Sequence, residues 1–120
     1  MNQGEIIKIV EEDNIAVVSF LVPTVSGTND IDQTANQLRQ YLKDSKPKAV
    51  IVDFAGVKFF SSQVLGLLVD IWKRLSNYSA HLYICGINPQ LSRVFKITNL
   101  DKIFDFYEDK AAAMKKLADV

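Results

Sequence analysis

Six residues, Ala49-Val-Ile-Val-Asp-Phe54, constrain this chain more than any others. A strand with one wet face alternates apolar and polar side chains, because successive residues point to opposite sides of a sheet. A nearly continuous β-branched run is instead the mark of a strand buried on both faces, as in a parallel sheet covered by helices. The run predicts the central strand of an α/β fold.

The flanking segments agree. Residues 5–11 and 15–21 are strand-like and are joined by the polar turn Glu12-Asp13-Asn14, so they are expected to pair as an antiparallel hairpin. Residues 23–30 are rich in turn formers and predict a loop. Ile31, Ala35, Leu38, Tyr41 and Leu42 then recur at helical spacing, predicting a helix over 31–43. Asp30 and Gln33 read as a capping box at its start. Pro47 ends that region. A helix over 62–75, a strand over 82–87, a helix over 89–97, a strand over 103–107 and a helix over 109–117 follow the central strand. Asn88-Pro89 suits a helix start, because Asn can accept from first-turn amides and proline has no amide to leave unsatisfied. The expected architecture is a mixed sheet of about five strands, the hairpin first and then strand and helix alternating, with helices packed against it.

A chain of 120 residues, 48% of them hydrophobic, can close one real core without disulfide or metal, so residues 1–120 are read as a single domain. Lys plus Arg and Asp plus Glu number 14 each, which leaves no net field to hold nucleic acid or an anionic membrane. Any partner must be found by local shape and chemistry. Cys85, the only cysteine, lies in an apolar run and reads as a small buried hydrophobe. The amino end has neither a basic start nor an apolar targeting stretch, and no run approaches the roughly 20 apolar residues of a membrane span, so a cytoplasmic location is expected.

The segment Phe59-Phe-Ser-Ser-Gln-Val-Leu-Gly66 lies where the central strand gives way to a loop and the next helix begins. That is the carboxyl side of the parallel strands, where ligands of open α/β sheets sit and where helix-start amides favour anions. Ser61 is expected at the N-cap and Ser62 in the first turn. Along the following helix, Val64, Leu65, Leu67, Leu68, Val69, Ile71, Trp72 and Leu75 spread over roughly 200°, wider than a one-sided amphipathic helix requires. Leu65, Val69 and Trp72 are the expected rim of that face, and exposed apolar surface beside a polar loop suits a protein interface. Gly66 lies inside the helix, where it costs roughly 1 kcal/mol relative to alanine; close packing is the expected compensation.

Residues 53–66, Asp53-Phe-Ala-Gly-Val-Lys-Phe-Phe-Ser-Ser-Gln-Val-Leu-Gly66, followed by Lys73-Arg74-Leu75, resemble the signature of the STAS domains of anti-sigma-factor antagonists. A second block, Leu82-Tyr-Ile-Cys-Gly-Ile-Asn-Pro-Gln-Leu-Ser-Arg-Val-Phe-Lys-Ile-Thr-Asn-Leu100, is similar to that family's strand, proline-started helix and closing turn. The resemblance implies a non-enzymatic regulator without cofactor or metal, a monomer or weak homodimer, that binds an anti-sigma factor of the serine-kinase type. In the family that kinase phosphorylates a serine of an Asp-Ser-Ser-Gly motif. Laid without gaps, Ser61 stands at the aspartate, Ser62 at the phosphorylated serine, Gln63 at the second serine and Val64 at the glycine. Ser62 alone is retained, and the loop over 24–30 lacks the family's Gly-Glu-x-Asp pattern. The expected partner surface is Ser61, Ser62, Gln63, Leu65, Val69 and Trp72 with Asn29 and Asp30, and a phosphate on Ser62 would add roughly 1.5 to 2 negative charges there.

Two other readings stay open. One is a non-switching STAS scaffold subunit, in which Ser62 only helps to start the helix. The other is a phosphoryl-transfer or nucleotide-binding α/β protein, resting on Asp30, Asp32 and Asp53 near strand and loop ends. Against the latter, His81 is the only histidine, no Walker or Gly-x-Gly-x-x-Gly sequence is present, and aspartates at such positions commonly cap helices and turns.

Overall fold

The β-branched run lies at the middle of a five-stranded sheet in the computed structural model, which describes residues 5–118. In chain order the elements are β1 (Ile7–Glu12), β2 (Ile15–Phe20), β3 (Thr24–Val25), α1 (Thr28–Ser45), β4 (Ala49–Asp53), β5 (Phe59–Phe60), α2 (Gln63–Ser76), β6 (His81–Cys85) and α3 (Pro89–Ile97). A 3-10 turn at Leu100–Lys102, β7 (Asp105–Tyr107) and α4 (Lys110–Ala118) complete it. The strand order is β1-β2-β4-β6-β7, antiparallel between β1 and β2 and parallel elsewhere. The hairpin turn holds Asp13 and Asn14 at φ 55° and 66°. Two consecutive positive φ values suit the type I′ turn, whose twist matches the strands on either side.

From β2 onward the order never reverses, so right-handed crossovers place α1, α2 and α3 on one face of the sheet. The strand pleat sorts the side chains accordingly. Val50 and Val52 of β4, Ala16 and Val18 of β2, and Leu82 and Ile84 of β6 face the three helices. Ala49, Ile51, Ile15, Tyr83 and Cys85 face the other way, against Ala113 and Leu117 of α4. The three-helix side contains Phe54, Phe95, Leu68, Ile71 and Leu75 fully buried. Each such side chain contributes about 1.5–3 kcal/mol, so this face carries most of the stability. Burial, reinforced by the neighbouring Asp53 carboxylate, pushes the Cys85 thiol up to about 12, which leaves it a packing residue.

Three local expectations change. The loop over 23–30 contains β3, which pairs in parallel with β5 (Thr24 with Phe59, Val25 with Phe60) as a separate small sheet. Two residues are too few for a period to be read. Helix α1 starts earlier than expected, at Thr28, because Gly27 adopts φ 90° and turns the chain straight out of β3. The Asp30–Gln33 capping box does not form; Asp30 sits within the first turn, where its charge favours the helix dipole. β7 begins only at Asp105, after a left-handed Asn99 at φ 63° has started the 3-10 turn. The Asn88 cap is formed: its side-chain oxygen accepts from the Leu91 amide at 2.8 Å.

Helices α1 and α2 are clasped by Asp70, which accepts from Arg39 Nε at 2.9 Å and from Arg74 Nε at 3.2 Å. Partial burial alone would raise this carboxyl, but the hydrogen bonds from Arg39 and Arg74 outweigh it and hold it below its ordinary value. A lowered carboxyl stabilises the fold above the unfolded carboxylate pKa and loses that contribution as pH falls through the folded value. Because the groups are partly solvated, Asp70→Asn is expected to cost about 0.5 kcal/mol at neutral pH. In urea titrations the deficit should vanish in strong acid, below the range where Asp70 is ionised.

The two glycines of the serine segment and its neighbour strand predict opposite outcomes. Gly86 has φ 75°, and a Cβ there would lie 2.8 Å from both the Ala55 nitrogen and Asp53 Oδ1. Gly86→Ala should therefore destabilise by about 2–4 kcal/mol. Gly66 is exposed with nothing within 4 Å of a built Cβ, so the expected close packing is absent. Gly66→Ala should stabilise by roughly 0.5–1 kcal/mol in the same urea titrations.

Candidate functional site

The serine loop is fixed by backbone before any side chain contributes. β5 runs beside β3, and the Ser61 amide continues that ladder by donating to the Val25 carbonyl at 3.0 Å. The Pro23 carbonyl accepts from the Lys58 and Phe59 amides at 2.7 and 3.2 Å. Beneath the loop runs a file of rings. Phe20 stacks on Phe54 at 5.1 Å between centroids, Phe54 meets Phe60 at 5.5 Å, and Phe60 meets Phe95 edge-on at 5.8 Å. Each such pair adds about 0.5–1.5 kcal/mol beyond its buried area. Phe60 is therefore an anchor that sets where Ser61 and Ser62 emerge.

The two serines have different surroundings. Ser61 is largely withdrawn; its Oγ is buried and has no hydrogen-bond partner among the described residues. Ser62 is exposed and precedes α2 directly, at φ −60° and ψ −20°. The expected arrangement of Ser61 as cap and Ser62 inside the first turn is shifted by one residue, and no side chain caps the helix. The reason is that Ser62 has already adopted helical angles, which turns its hydroxyl away from the amides that an N-cap in extended conformation would reach. Helix α2 has no acidic residue in its first turn, so its positive end faces solvent beside Ser62.

Of the residues expected on the partner surface, Ser62 and Gln63 are exposed at the loop. Asn29 and Asp30 are exposed in the first turn of α1, which begins three residues after the Val25 that holds Ser61. Within residues 24–30 the tie to the serine loop is made by Thr24 and Val25, through the β3–β5 pairing and the Val25 carbonyl. Leu65 does not form a rim: it is 8% exposed and belongs to the main core. Val69 and Trp72 are partly buried against that core as well. A rise of 1.5 Å per residue puts Trp72 about 15 Å along the helix from Ser62, so the structure does not bring it to the loop.

Phe59 was not singled out from the sequence, and Asn88 only as a helix cap. Phe59 is 56% exposed immediately before the serine pair. Its signal was the strand pleat, which sends Phe60 inward and Phe59 outward. Asn88 has a second task besides capping α3, since its Nδ2 donates to the Val57 carbonyl at 3.2 Å and ties the start of α3 to the turn leading into β5. That contact spans 31 positions and has no sequence signal. Elsewhere, Asp53 Oδ1 accepts from the Ala55 amide at 2.9 Å as a turn residue. Among the described residues, no group of three His, Cys, Asp or Glu is placed to hold a metal ion, and no helix is long and apolar enough to cross a membrane.

Residues 7–113 match the STAS domain family. The chain is 30% identical over 92 residues to the anti-sigma-B factor antagonist of Staphylococcus epidermidis, covering 74% of this chain and 84% of that one. It is 21% identical over 100 residues to the anti-sigma F factor antagonist of Paenibacillus polymyxa, covering 81% and 86% respectively. Its backbone superposes with a TM-score of 0.81 on an anti-sigma-factor antagonist (STAS) domain protein from Planctomyces limnophilus, at 26% identity, over 92% of this chain and 95% of that one. With the mixed sheet, the three helices on one face and the serine at the start of the second helix already in place, the chain belongs to the STAS domain family.

Proposed function

We propose that this chain is a non-catalytic switch of the anti-sigma-factor-antagonist kind, which docks an anti-sigma factor of the serine-kinase type on its serine loop and is controlled at Ser62. The observation that carries the reading is the contrast within the serine pair. Ser62 is exposed on a loop held by strand ladder and aromatic packing, whereas the Ser61 hydroxyl is buried. Of the pair, Ser62 alone presents an exposed hydroxyl to a kinase.

The chemistry is supplied by the partner. Transfer of the γ-phosphoryl group of ATP forms a bond to Ser62 Oγ, breaks the bond to the β-phosphate oxygen with ADP leaving, and passes the hydroxyl proton to a base of the kinase. The fold receives the product at low cost, because the positive end of α2 meets the added anion and no first-turn carboxylate opposes it. The partner surface does oppose it: roughly 1.5 to 2 added charges must be desolvated when the partner docks. Phe59 supplies an apolar contact beside that charge.

Pull-down with the wild type, Ser62→Ala, Ser62→Asp and Phe59→Ala chains, read by mass spectrometry for protein and for phosphate, tests this. The wild type and Ser62→Ala should retain an ATP-binding partner. Ser62→Asp and Phe59→Ala should each lose about tenfold in affinity or more, equivalent to 1.4 kcal/mol. Phosphate should map to Ser62 and to neither Ser61 nor the Thr24–Thr28 stretch. Equal capture by all four chains would sink the reading in favour of a scaffold that does not switch.

A further inference from the structure

Far from the serine loop, the carboxyl ends of α1 and α2 border a groove of about 570 Å³. Four cations line it, Arg39, Lys43, Lys46 and Arg74, and no carboxylate does. In a chain with 14 basic and 14 acidic residues, that is a local concentration of one sign. We propose that this groove docks a carboxylate-rich segment of a protein partner, on a surface separate from the serine loop. The 14 residues of α2 separate the two by about 20 Å.

Preorganisation supports the proposal first. Asp70, outside the lining, takes the Nε of both arginines, at 2.9 and 3.2 Å, and so fixes both guanidinium planes. Arg39 is further steadied by donating from Nη1 to Asn36 Oδ1 at 3.3 Å. Guanidinium groups held in this way retain terminal N–H donors, whose fork matches a carboxylate. Helix-dipole compensation accounts for Lys43 and Arg74, which sit in the last turns of their helices. It does not account for Arg39, which precedes the last turn of α1.

Spacing chooses the ligand. Arg39 and Lys43 are four positions apart on α1, so their Cβ atoms lie about 5–6 Å apart on one face, and Lys46 follows them as the left-handed C-cap. A single phosphate can meet one or two of them, whereas a segment with carboxylates at similar intervals meets the row. A nucleic-acid strand has comparable charge spacing, but its binding sites add aromatic platforms for the bases. The aromatic residue of this groove, Tyr78, is partly buried and its hydroxyl donates to the Pro47 carbonyl at 3.0 Å.

The test is fluorescence anisotropy of the full chain with fluorescein-labelled hexaglutamate at low salt, with unlabelled oligodeoxythymidylate and inorganic phosphate as competitors. Saturable binding is expected, weakening with added salt and by about tenfold in Lys43→Glu/Lys46→Glu. Circular dichroism and thermal unfolding of that variant should match the wild type. Asp70→Asn should also weaken binding although it adds positive charge, because the arginines lose their support. Ser62→Asp should leave it unchanged, which separates this surface from the serine loop. The proposal fails if no saturable binding occurs, if the double variant binds equally, if Asp70→Asn binds more tightly, if Ser62→Asp abolishes binding, or if either competitor displaces the peptide more effectively than unlabelled hexaglutamate.

Discussion

The pairing of β4 with β2 on one side and β6 on the other is the constraint on which the rest of this molecule depends. Both neighbours run parallel to it, with Val50 opposite Ala16 and Leu82. Parallel neighbours cannot be joined by tight turns, so the chain must cross over through helices. Because the strand order runs one way from β2 to β7, those crossovers stack α1, α2 and α3 on a single face and send the start of each helix to the carboxyl edge. The serine site is a consequence of that geometry. It needs no special residue beyond those that shape one loop at that edge.

What makes the loop a defined surface is a second, much smaller ladder. β3 and β5 share two residue pairs, and the Ser61 amide extends the ladder to Val25. Such a short pairing would not hold alone. It holds because Val25 and Phe60 are buried together in the main core, with Phe60 seated between Phe54 and Phe95. Asn88 adds a tie from the opposite side through the Val57 carbonyl. The same packing sorts the serines: the residue nearer the core has its hydroxyl buried, and the next is exposed where α2 begins.

The sheet was legible in the sequence because the β-branched run, the hairpin turn and the alternation of strand and helix are written in period and composition. The Asn88-Pro89 helix start was legible for the same local reason. The β3–β5 ladder was not, since two residues carry no period and their partners are 35 positions apart, as with Thr24 and Phe59. The start of α1 moved because the backbone freedom of Gly27 prevailed over a side-chain capping pattern at Asp30 and Gln33. At the site, position in the chain placed Ser62 beside the start of α2, where it is exposed, but a helical wheel cannot tell a rim from a core. Leu65 lies at the edge of the apolar arc and is nevertheless buried, as part of the main core.

On the proposed reading, Ser62 is a charge switch on a surface that is already formed, and the core is indifferent to its state. The most direct measurement is an amide proton–nitrogen NMR spectrum of the Ser62→Asp chain against the wild type. Shift changes confined to residues 24–30 and 59–66, with β4, β6 and α3 unmoved, are what a preformed site predicts. Changes spread through β4, β6 and α3, or a collapse of spectral dispersion, would mean that the negative charge acts by remaking the fold, and would contradict it.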